Sequence, residues 1–189
     1  MSAGQSEMRI DFVHCTEEEL WHYVAAHLAK EGIETILVGG AVVSIYSKGV
    51  YRSGDLDLVL GSMFVKTLDQ AMQKIGFKKK GRHFEHPECQ HLFVEFPGSP
   101  PLGIGSDYTI KPTELIVDHH VIKILSPTDC IKDRLASFIY FNDREGLEQA
   151  LLVARSQNVD MGSIRDWCEK EGHPEAFVNF SQQLLQSDE

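Results

Sequence analysis

The segment "ILVGGAVVSIYSKGVYRSGDLDLVL" (residues 36–60) decides the fold. An apolar run ends at Gly39-Gly40, a short helix-forming stretch follows, and Asp55 and Asp57 then lie inside a second apolar run. Residues two apart in a strand point to the same face, so both aspartates project from one face and the intervening leucines from the other. Two such close carboxylates resist burial unless a positive charge compensates them. A divalent cation such as Mg²⁺, which prefers oxygen ligands, is the usual solution.

A more ordinary interpretation is an edge strand whose two aspartates face solvent, because Asp-x-Asp is common by chance. The flanking leucines favour a strand that packs on a core instead. A third acid, Glu95, lies in another apolar strand, "HLFVEF" (residues 91–96). The glycine pair lets the backbone approach a ligand closely, and the start of the following helix offers free N–H groups to a phosphate. Glycines also make tight strand-to-helix turns, and neither a Walker loop nor a G-x-G-x-x-G motif is present.

Taken together, "LVGG" (37–40) and "SGDLDL" (53–58) resemble the motif of the nucleotidyltransferase superfamily of the DNA polymerase β type. The resemblance implies that Asp55 and Asp57 bind one or two Mg²⁺ ions. It implies that Glu95 completes the site as the third carboxylate, acting as a metal ligand or as a general base. The residues that it assigns to nucleotide binding are Gly39, Gly40, Ser53, Arg52 and Arg134.

A longer segment, "LSPTDCIKDRLASFIYFNDREGLEQALLVA" (125–154), resembles the helical part of small bacterial nucleotidyltransferase-like proteins, including relatives of abortive-infection toxins. In those proteins, basic and acidic side chains of these helices face the nucleotide cleft. The matching positions are Asp133, Arg134, Asp143 and Arg144. Arg52, Lys48 and Arg82 are further candidates to hold the leaving phosphates, with solvated surface charge as the ordinary alternative for each.

The implied activity is Mg²⁺-dependent transfer of a nucleoside monophosphate from a nucleoside triphosphate to a hydroxyl group, with release of pyrophosphate. The acceptor would be a protein, an RNA end or a small molecule. Two features depart from the pattern, since many active members carry Asp where this chain has Glu95, and no phosphate-binding lysine stands out. The alternatives are a non-catalytic nucleotide-binding or regulatory module of the same fold, and an unrelated α/β protein with a coincidental Asp-x-Asp.

Composition bounds the class of protein. The chain has 189 residues, of which 42% are hydrophobic and 24% charged, and its formal net charge is −10. An acidic chain is a poor candidate for non-specific binding to DNA or to an anionic membrane. The start of the chain lacks the pattern of a signal peptide, and four scattered cysteines predict reduced thiols in the cytoplasm. The apolar stripes of the C-terminal part are compatible with a homodimer face, and the resemblance to abortive-infection toxins implies an antitoxin as a further candidate partner.

The predicted fold class is α+β. Residues 1–125 are expected to form a nucleotidyltransferase-like mixed sheet flanked by helices, and residues 126–189 a helical region packed on that core. A capping box at Thr16 and Glu19 starts the first helix. The remaining predicted elements are a helix over 63–77, strands at 82–86 and 91–96, a hairpin over 114–125 turning near Asp118, and helices over 127–140, 143–156, 160–171 and 174–187.

The segment "HFEHPECQH" (83–91) holds residues that zinc uses as ligands. These are His83, His86, Cys89 and His91. Their spacing fits no standard zinc pattern, and strand alternation is expected to scatter them over two faces. The favoured interpretation is a half-exposed hairpin. Likewise, the histidines of "DHH" (118–120) are interpreted as part of a turn.

Overall fold

The computed structural model describes residues 8–63, 65–98 and 100–186. Within these ranges the chain forms seven strands in one mixed sheet and seven helices. The strands are β1 (Thr35–Val38), β2 (Asp55–Leu60), β3 (Lys78–Lys80), β4 (His83–His86), β5 (Cys89–Glu95), β6 (Thr113–Val117) and β7 (His120–Ile124). The helices are α1 (Glu17–Lys30), α2 (Gly39–Tyr46), α3 (Leu68–Lys74), α4 (Pro127–Phe141), α5 (Arg144–Ser156), α6 (Met161–Lys170) and α7 (Pro174–Gln186).

The sheet places β1 and β2 near its centre, in the order β3-β4-β5-β2-β1-β7-β6. Strand β2 runs antiparallel to β1 and parallel to β5, and β1 runs parallel to β7. All four residues of β1 are buried, as expected for a short apolar strand covered on both faces. In β2, Leu56 and Leu58 are fully buried, whereas Asp55 and Asp57 on the other face are half-buried. The aspartates therefore lie on a central strand, and the edge-strand interpretation is wrong.

The first helix begins where the sequence predicts. The Thr16 side chain accepts the Glu19 N–H at 3.2 Å, and the Glu19 carboxylate accepts the Thr16 N–H at 2.8 Å. These two bonds satisfy donors that a helix start leaves without partners. Helix α1 then packs on β7, β1 and β2, and against α2 and α3.

The C-terminal helices pack on the core through α2, which contacts both α4 and α5. The Tyr46 hydroxyl at the end of α2 donates to the Leu125 carbonyl at 2.6 Å, and the Gln157 side-chain amide donates to the Tyr46 carbonyl at 2.9 Å. Ser126 caps α4 with its side chain, and Asn142 ends it in the left-handed conformation (φ 52°). The four predicted helices are confirmed to within two residues at each end.

The predicted fold class is confirmed, with two local corrections. Helix α3 is shorter than the predicted 63–77 at both ends: it begins at Leu68, and it ends before Gly76, which adopts φ +87°. Strand β3 was not predicted, because Lys78–Lys80 reads as a basic patch, and its three exposed lysines suit a strand at the sheet edge. The hairpin turn at Asp118 is confirmed.

The proposed division at residue 125 falls between β7 and α4, and it stays a prediction. Among the described residues, no helix combines the length and the apolar character that crossing a bilayer requires.

Gly146 allows α4 and α5 to approach closely, so we expect Gly146→Ala to destabilise the protein. A methyl group there would lie 2.6 Å from the Arg134 carbonyl oxygen and 3.2 Å from Ser137 Cβ. Overpacking of this kind costs about 1–3 kcal/mol, which exceeds the gain of about 1 kcal/mol from replacing a helical glycine. The measurement is the free energy of unfolding in urea.

Gly162→Ala is the matched control for this variant. Gly162 lies near the start of α6, which Asp160 caps. A methyl group at Gly162 would lie 3.2 Å from Asp160 Oδ1 and would meet no backbone atom of another element. We expect it to be neutral or slightly stabilising. Equal stabilities of the two variants would contradict the close helix approach.

Candidate functional site

Adjacent strands bring the three acidic residues together. In the parallel pairing of β2 with β5, Asp57 lies directly opposite Glu95, and Asp55 lies opposite Phe93. Neighbouring strands are about 4.8 Å apart, and paired residues point to the same face. The carboxyl groups of Asp55, Asp57 and Glu95 therefore share one face, at one place on the sheet.

The pKa of Asp57 is affected by its burial and by the charges of the neighbouring side chains. Burial, together with the charges of Asp55 and Glu95, raises the pKa of the Asp57 carboxyl to about 7. The Arg134 guanidinium acts in the opposite direction and lowers the pKa of Asp57, and Asp133 beside it adds a smaller upward effect. A cation placed among these carboxylates would relieve the repulsion.

The glycine pair lies against the acidic cluster. Gly39 has φ +73°, and a methyl group at this position would collide with Asp57 Oδ2. At Gly40, a methyl group would lie 3.0 Å from Ser53 Oγ and 3.4 Å from the Tyr51 ring. Gly39 is also the first residue of α2, and the side chain of its N-cap residue, Val38, makes no capping hydrogen bond. The N-terminal N–H groups of α2 therefore lie beside the carboxylates, where a phosphate would meet them.

A buried acid, Glu17, fixes the loop that leads into β2. Its side chain is 4% exposed. One oxygen accepts the Ser53 N–H at 2.9 Å, and the other accepts a hydrogen bond from Arg52 Nη1 at 3.1 Å. Ser53 Oγ in turn donates to Asp55 Oδ1 at 2.8 Å. Glu17 thereby positions Ser53, and through it the first aspartate.

Arg52 was predicted to bind nucleotide, and the structure places its guanidinium against Glu17. The Arg52 side chain is 63% exposed, so one end of the ion pair is open to solvent. Its predicted role stays a prediction. Sequence reasoning missed Glu17, because an acid in the first turn of a helix is common for its interaction with the helix dipole alone.

We expect Glu17→Ala to destabilise the protein by about 2–3 kcal/mol, because it leaves the Ser53 N–H buried without its charged acceptor. Glu18→Ala is the control, since Glu18 lies in the same helical turn and is exposed. We expect that variant to stay within about 0.5 kcal/mol of the parent. Urea unfolding measures both, and equal effects would contradict the positioning role.

Arg134 is the basic group on α4 that faces the acidic cluster. Its guanidinium is largely buried and donates to Asp133 Oδ2 at 2.6 and 3.1 Å and to Gln149 Oε1 at 3.1 Å. The neighbouring charges of Asp133 and Asp57 raise the pKa of Arg134 against the effect of burial. A buried, anchored guanidinium beside a cluster of carboxylates is suited to bind a phosphate group.

Two other predicted positions of the helical region, Asp143 and Arg144, lie at the start of α5. Asp143 caps α5, where its side chain accepts the Glu145 N–H at 3.1 Å, and Arg144 is the first residue of that helix.

Tyr51, next to the acidic cluster, was not predicted as a site residue. It contacts Glu145, and burial followed by the Glu145 charge raises the pKa of its hydroxyl.

His83 is a further neighbour that sequence reasoning assigned elsewhere. Its Nδ1 lies 4.0 Å from Glu95 Oε1, and its Nε2 lies 2.8 Å from Glu85 Oε1. The cross-strand pairing of His83 with Glu95 produces this contact. In the sequence, His83 was grouped with His86, Cys89 and His91 and was interpreted as part of a half-exposed hairpin.

The donor set fits Mg²⁺. Asp55, Asp57 and Glu95 offer carboxylate oxygens, which are the ligands that this ion prefers. Burial is the largest cause of the raised pKa of Asp57, and the charges of Asp55 and Glu95 add to it.

Comparison of structures places this geometry in a known fold. The chain is similar to an antigenic nucleotidyltransferase-like protein from Paracoccidioides brasiliensis (TM-score 0.52, 18% identity, covering 72% of this chain and 74% of the other). It is also similar to the antibiotic-resistance factor ANT(2'')-Ia (TM-score 0.50, 14% identity, covering 88% of this chain and 92% of the other). Neither a scan of protein-family models nor a search of curated proteins found a match. The chain has a nucleotidyltransferase-like fold, and the relation to abortive-infection toxins stays a prediction.

Proposed function

We propose that the chain is a Mg²⁺-dependent nucleotidyltransferase, which moves a nucleoside monophosphate from a nucleoside triphosphate to a hydroxyl acceptor and releases pyrophosphate. The observation that carries this proposal is the placement of Asp57 opposite Glu95 on adjacent strands, with Asp55 on the same face. The fold shared with nucleotidyltransferases supports it. The acceptor class is a protein, an RNA end or a small molecule.

In this proposal, the triphosphate binds over the start of α2. The N–H groups of Gly39 and Gly40 donate to its phosphate oxygens, and the positive end of the helix dipole favours its charge. Glycine at both positions leaves the space that a side chain would fill. Arg134, held by Asp133 and Gln149, donates to a phosphate oxygen from the opposite side.

Asp55, Asp57 and Glu95 hold the cation in this proposal. Ser53 Oγ donates to Asp55 Oδ1 and so orients that carboxylate. When bound, Mg²⁺ supplies Lewis-acid activation of the acceptor hydroxyl and neutralises charge on the leaving pyrophosphate.

The transfer forms one bond between the acceptor oxygen and the α-phosphorus and breaks the bond from that phosphorus to the pyrophosphate oxygen. The hydroxyl proton passes to Glu95 or to solvent. His83 Nδ1 lies 4.0 Å from Glu95 Oε1, so a protonated His83 would add positive charge beside that carboxylate.

The first experiment measures thermal unfolding with each of ATP, GTP, CTP and UTP, with Mg²⁺ and with EDTA. We expect at least one nucleotide to raise the melting temperature with Mg²⁺ and not with EDTA. Ligand at 100 times its Kd stabilises a protein by about 2.7 kcal/mol. If no nucleotide stabilises the protein, the proposal is wrong.

The second experiment separates an enzyme from a nucleotide-binding module. The protein is incubated with α-labelled nucleoside triphosphates, Mg²⁺ and cell extract, and label is followed into protein, RNA and small-molecule fractions. We expect label to enter one fraction, with pyrophosphate released in equal amount. Intact binding without transfer to any fraction would support the non-catalytic module and exclude the enzyme.

A further inference from the structure

A second cluster of metal-ligating side chains joins the segment before α1 to the sheet. Cys15 lies two residues before α1, and Cys89 and His91 lie on β5. Cys15 Sγ lies 3.9 Å from Cys89 Sγ, which lies 3.9 Å from His91 Nδ1, and ligand atoms of the three residues all lie within 4.8 Å of one another. Both cysteines are buried and His91 is exposed, so the cluster has an open side.

The two sulfur-centred distances are close to the ligand–ligand separations of a tetrahedral zinc centre. Zinc–sulfur bonds of about 2.3 Å and zinc–nitrogen bonds of about 2.0 Å place two sulfurs roughly 3.8 Å apart, and a sulfur and a nitrogen roughly 3.5 Å apart. The observed separations of 3.9 Å differ by a few tenths of an ångström. The third separation, from Cys15 Sγ to a ring nitrogen of His91, lies within 4.8 Å, so zinc binding would draw these atoms closer together.

The second nitrogen of His91 is held in the way that zinc-binding histidines are held. His91 Nε2 lies 2.8 Å from the Cys15 carbonyl oxygen. A carbonyl oxygen accepts hydrogen bonds and does not donate them, so Nε2 carries the proton and Nδ1 directs its lone pair towards Cys89. Metal-ligating histidines commonly donate their other N–H to a backbone carbonyl, which fixes the tautomer and the ring orientation.

Two simpler accounts explain less of this geometry. Buried thiols pack as small apolar groups and donate weak hydrogen bonds, as Cys89 Sγ can to His91 Nδ1 at 3.9 Å. That accounts for each contact singly but not for the convergence of three ligand atoms within 4.8 Å of one another. A disulfide requires a sulfur–sulfur bond of about 2.05 Å, and the two sulfur atoms are 3.9 Å apart. Strand alternation was expected to scatter His83, His86, Cys89 and His91 over two faces, but Cys89 and His91 are two residues apart and share a face. The third member of the observed cluster is Cys15.

We propose that Cys15, Cys89 and His91 bind one Zn²⁺ ion through two thiolates and a neutral imidazole, with water as the fourth ligand. Binding releases the two thiol protons to solvent. Thiolate and imidazole ligands select zinc over Mg²⁺, so this site is chemically separate from the carboxylate site at Glu95. The ion would clip the segment before α1 to β5, alongside the stacking of Phe12 on His86 at 3.7 Å.

The test uses the full chain without a histidine tag, reduced, freed of metal with EDTA and then freed of EDTA. Titration with Co²⁺ is followed by the thiolate-to-cobalt charge-transfer absorbance, and Zn²⁺ is then added in competition. We expect one Co²⁺ per chain with this absorbance, its displacement by Zn²⁺, and a higher melting temperature with Zn²⁺ bound.

The variants are Cys15→Ser, Cys89→Ser and His91→Ala, with Cys168→Ser as the control for loss of a buried thiol in α6. We expect each ligand variant to weaken Zn²⁺ binding at least a hundredfold and the control to retain it. His91 is exposed, so His91→Ala keeps the test valid if a cysteine variant does not fold. Asp57→Asn should leave the cobalt absorbance unchanged, which separates this site from the carboxylates.

Three outcomes would overturn the proposal. One is substoichiometric binding with no thiolate absorbance. Another is Zn²⁺ affinity that is unchanged in His91→Ala. The third is a Cys15–Cys89 disulfide whose reduction yields a protein that binds no Zn²⁺.

Discussion

Asp57→Asn should abolish nucleotide transfer while making the metal-free protein more stable. Loss of a metal-binding carboxylate removes several kcal/mol of transition-state stabilisation, so we expect transfer to fall by at least about a thousandfold. The same change removes the cost of burying the charged Asp57 carboxylate, together with its repulsion from Asp55 and Glu95. A variant that gains stability as it loses activity is the signature of a carboxylate placed for a ligand.

The stability gain depends on pH in a defined direction. The pKa of Asp57 rises from its ordinary value of 3.8 to about 7, so between these values the folded protein holds a proton that the unfolded chain releases. Stability therefore falls as the pH rises from 3.8 to about 7, and the full penalty, up to about 4 kcal/mol, is present above pH 7. Asparagine removes this penalty, so the difference between parent and variant should be largest at pH 8 and should vanish below about pH 3.

The measurement is urea unfolding in EDTA at several pH values, beside the label-transfer assay with Mg²⁺. Asp118→Asn is the control, since Asp118 is exposed in the β6–β7 turn at φ 47°, a conformation that asparagine tolerates. We expect the control to change neither activity nor the pH profile. A destabilised Asp57→Asn variant in EDTA at pH 8 would show that Asp57 is not under charge repulsion.

Gly39→Ala should destabilise the protein and weaken Mg²⁺-dependent nucleotide binding. An alanine at φ +73° costs about 1–2 kcal/mol, and its methyl group would also collide with Asp57 Oδ2. Displacement of a catalytic carboxylate by about 1 Å lowers rates on the order of a hundredfold. We therefore expect at least that loss in transfer, together with a smaller Mg²⁺-dependent thermal shift.

Gly32→Ala separates the two effects of this substitution. Gly32 has φ +75°, and a methyl group there meets no described atom within 4 Å. The control therefore carries the backbone strain without the collision. We expect similar losses of stability from strain in both variants and normal transfer in Gly32→Ala alone. If both variants lose activity equally, the contact between Gly39 and Asp57 is not important for the site.

Local patterns in the sequence were sufficient for most elements. The capping box at Thr16 and the Ser126-Pro127 start of α4 depend on residues within one helical turn, so they can be recognised without the fold. The alternation around Asp55 and Asp57 depends only on the geometry of a strand. The strand of three lysines was missed because edge pairing is decided by its neighbour β4 and not by its own composition.

The candidate site was predictable only in part. Asp55, Asp57 and the glycine pair lie within one strand–helix–strand segment, and their proximity follows from the chain itself. The pairing of Glu95 with Asp57 requires β5 to lie beside β2, with β3 and β4 placed beyond β5 in the sheet. The sequence predicted Glu95 on a later strand, whereas the register of β5 against β2, which pairs Glu95 with Asp57, depends on tertiary packing.

The sequence by itself determined the α+β class, the strand carrying two aspartates and the glycine turn, because short-range periodicity and turn chemistry specify these features. Tertiary structure alone decided that Glu17 anchors Ser53 across 36 positions and that Cys15 meets Cys89 across 74. Contacts between residues so far apart depend on how whole elements pack, and no local pattern records that packing. The surroundings of Asp57 follow from the same cause, since its burial and the nearby charges of Glu95 and Arg134 depend on how distant segments pack.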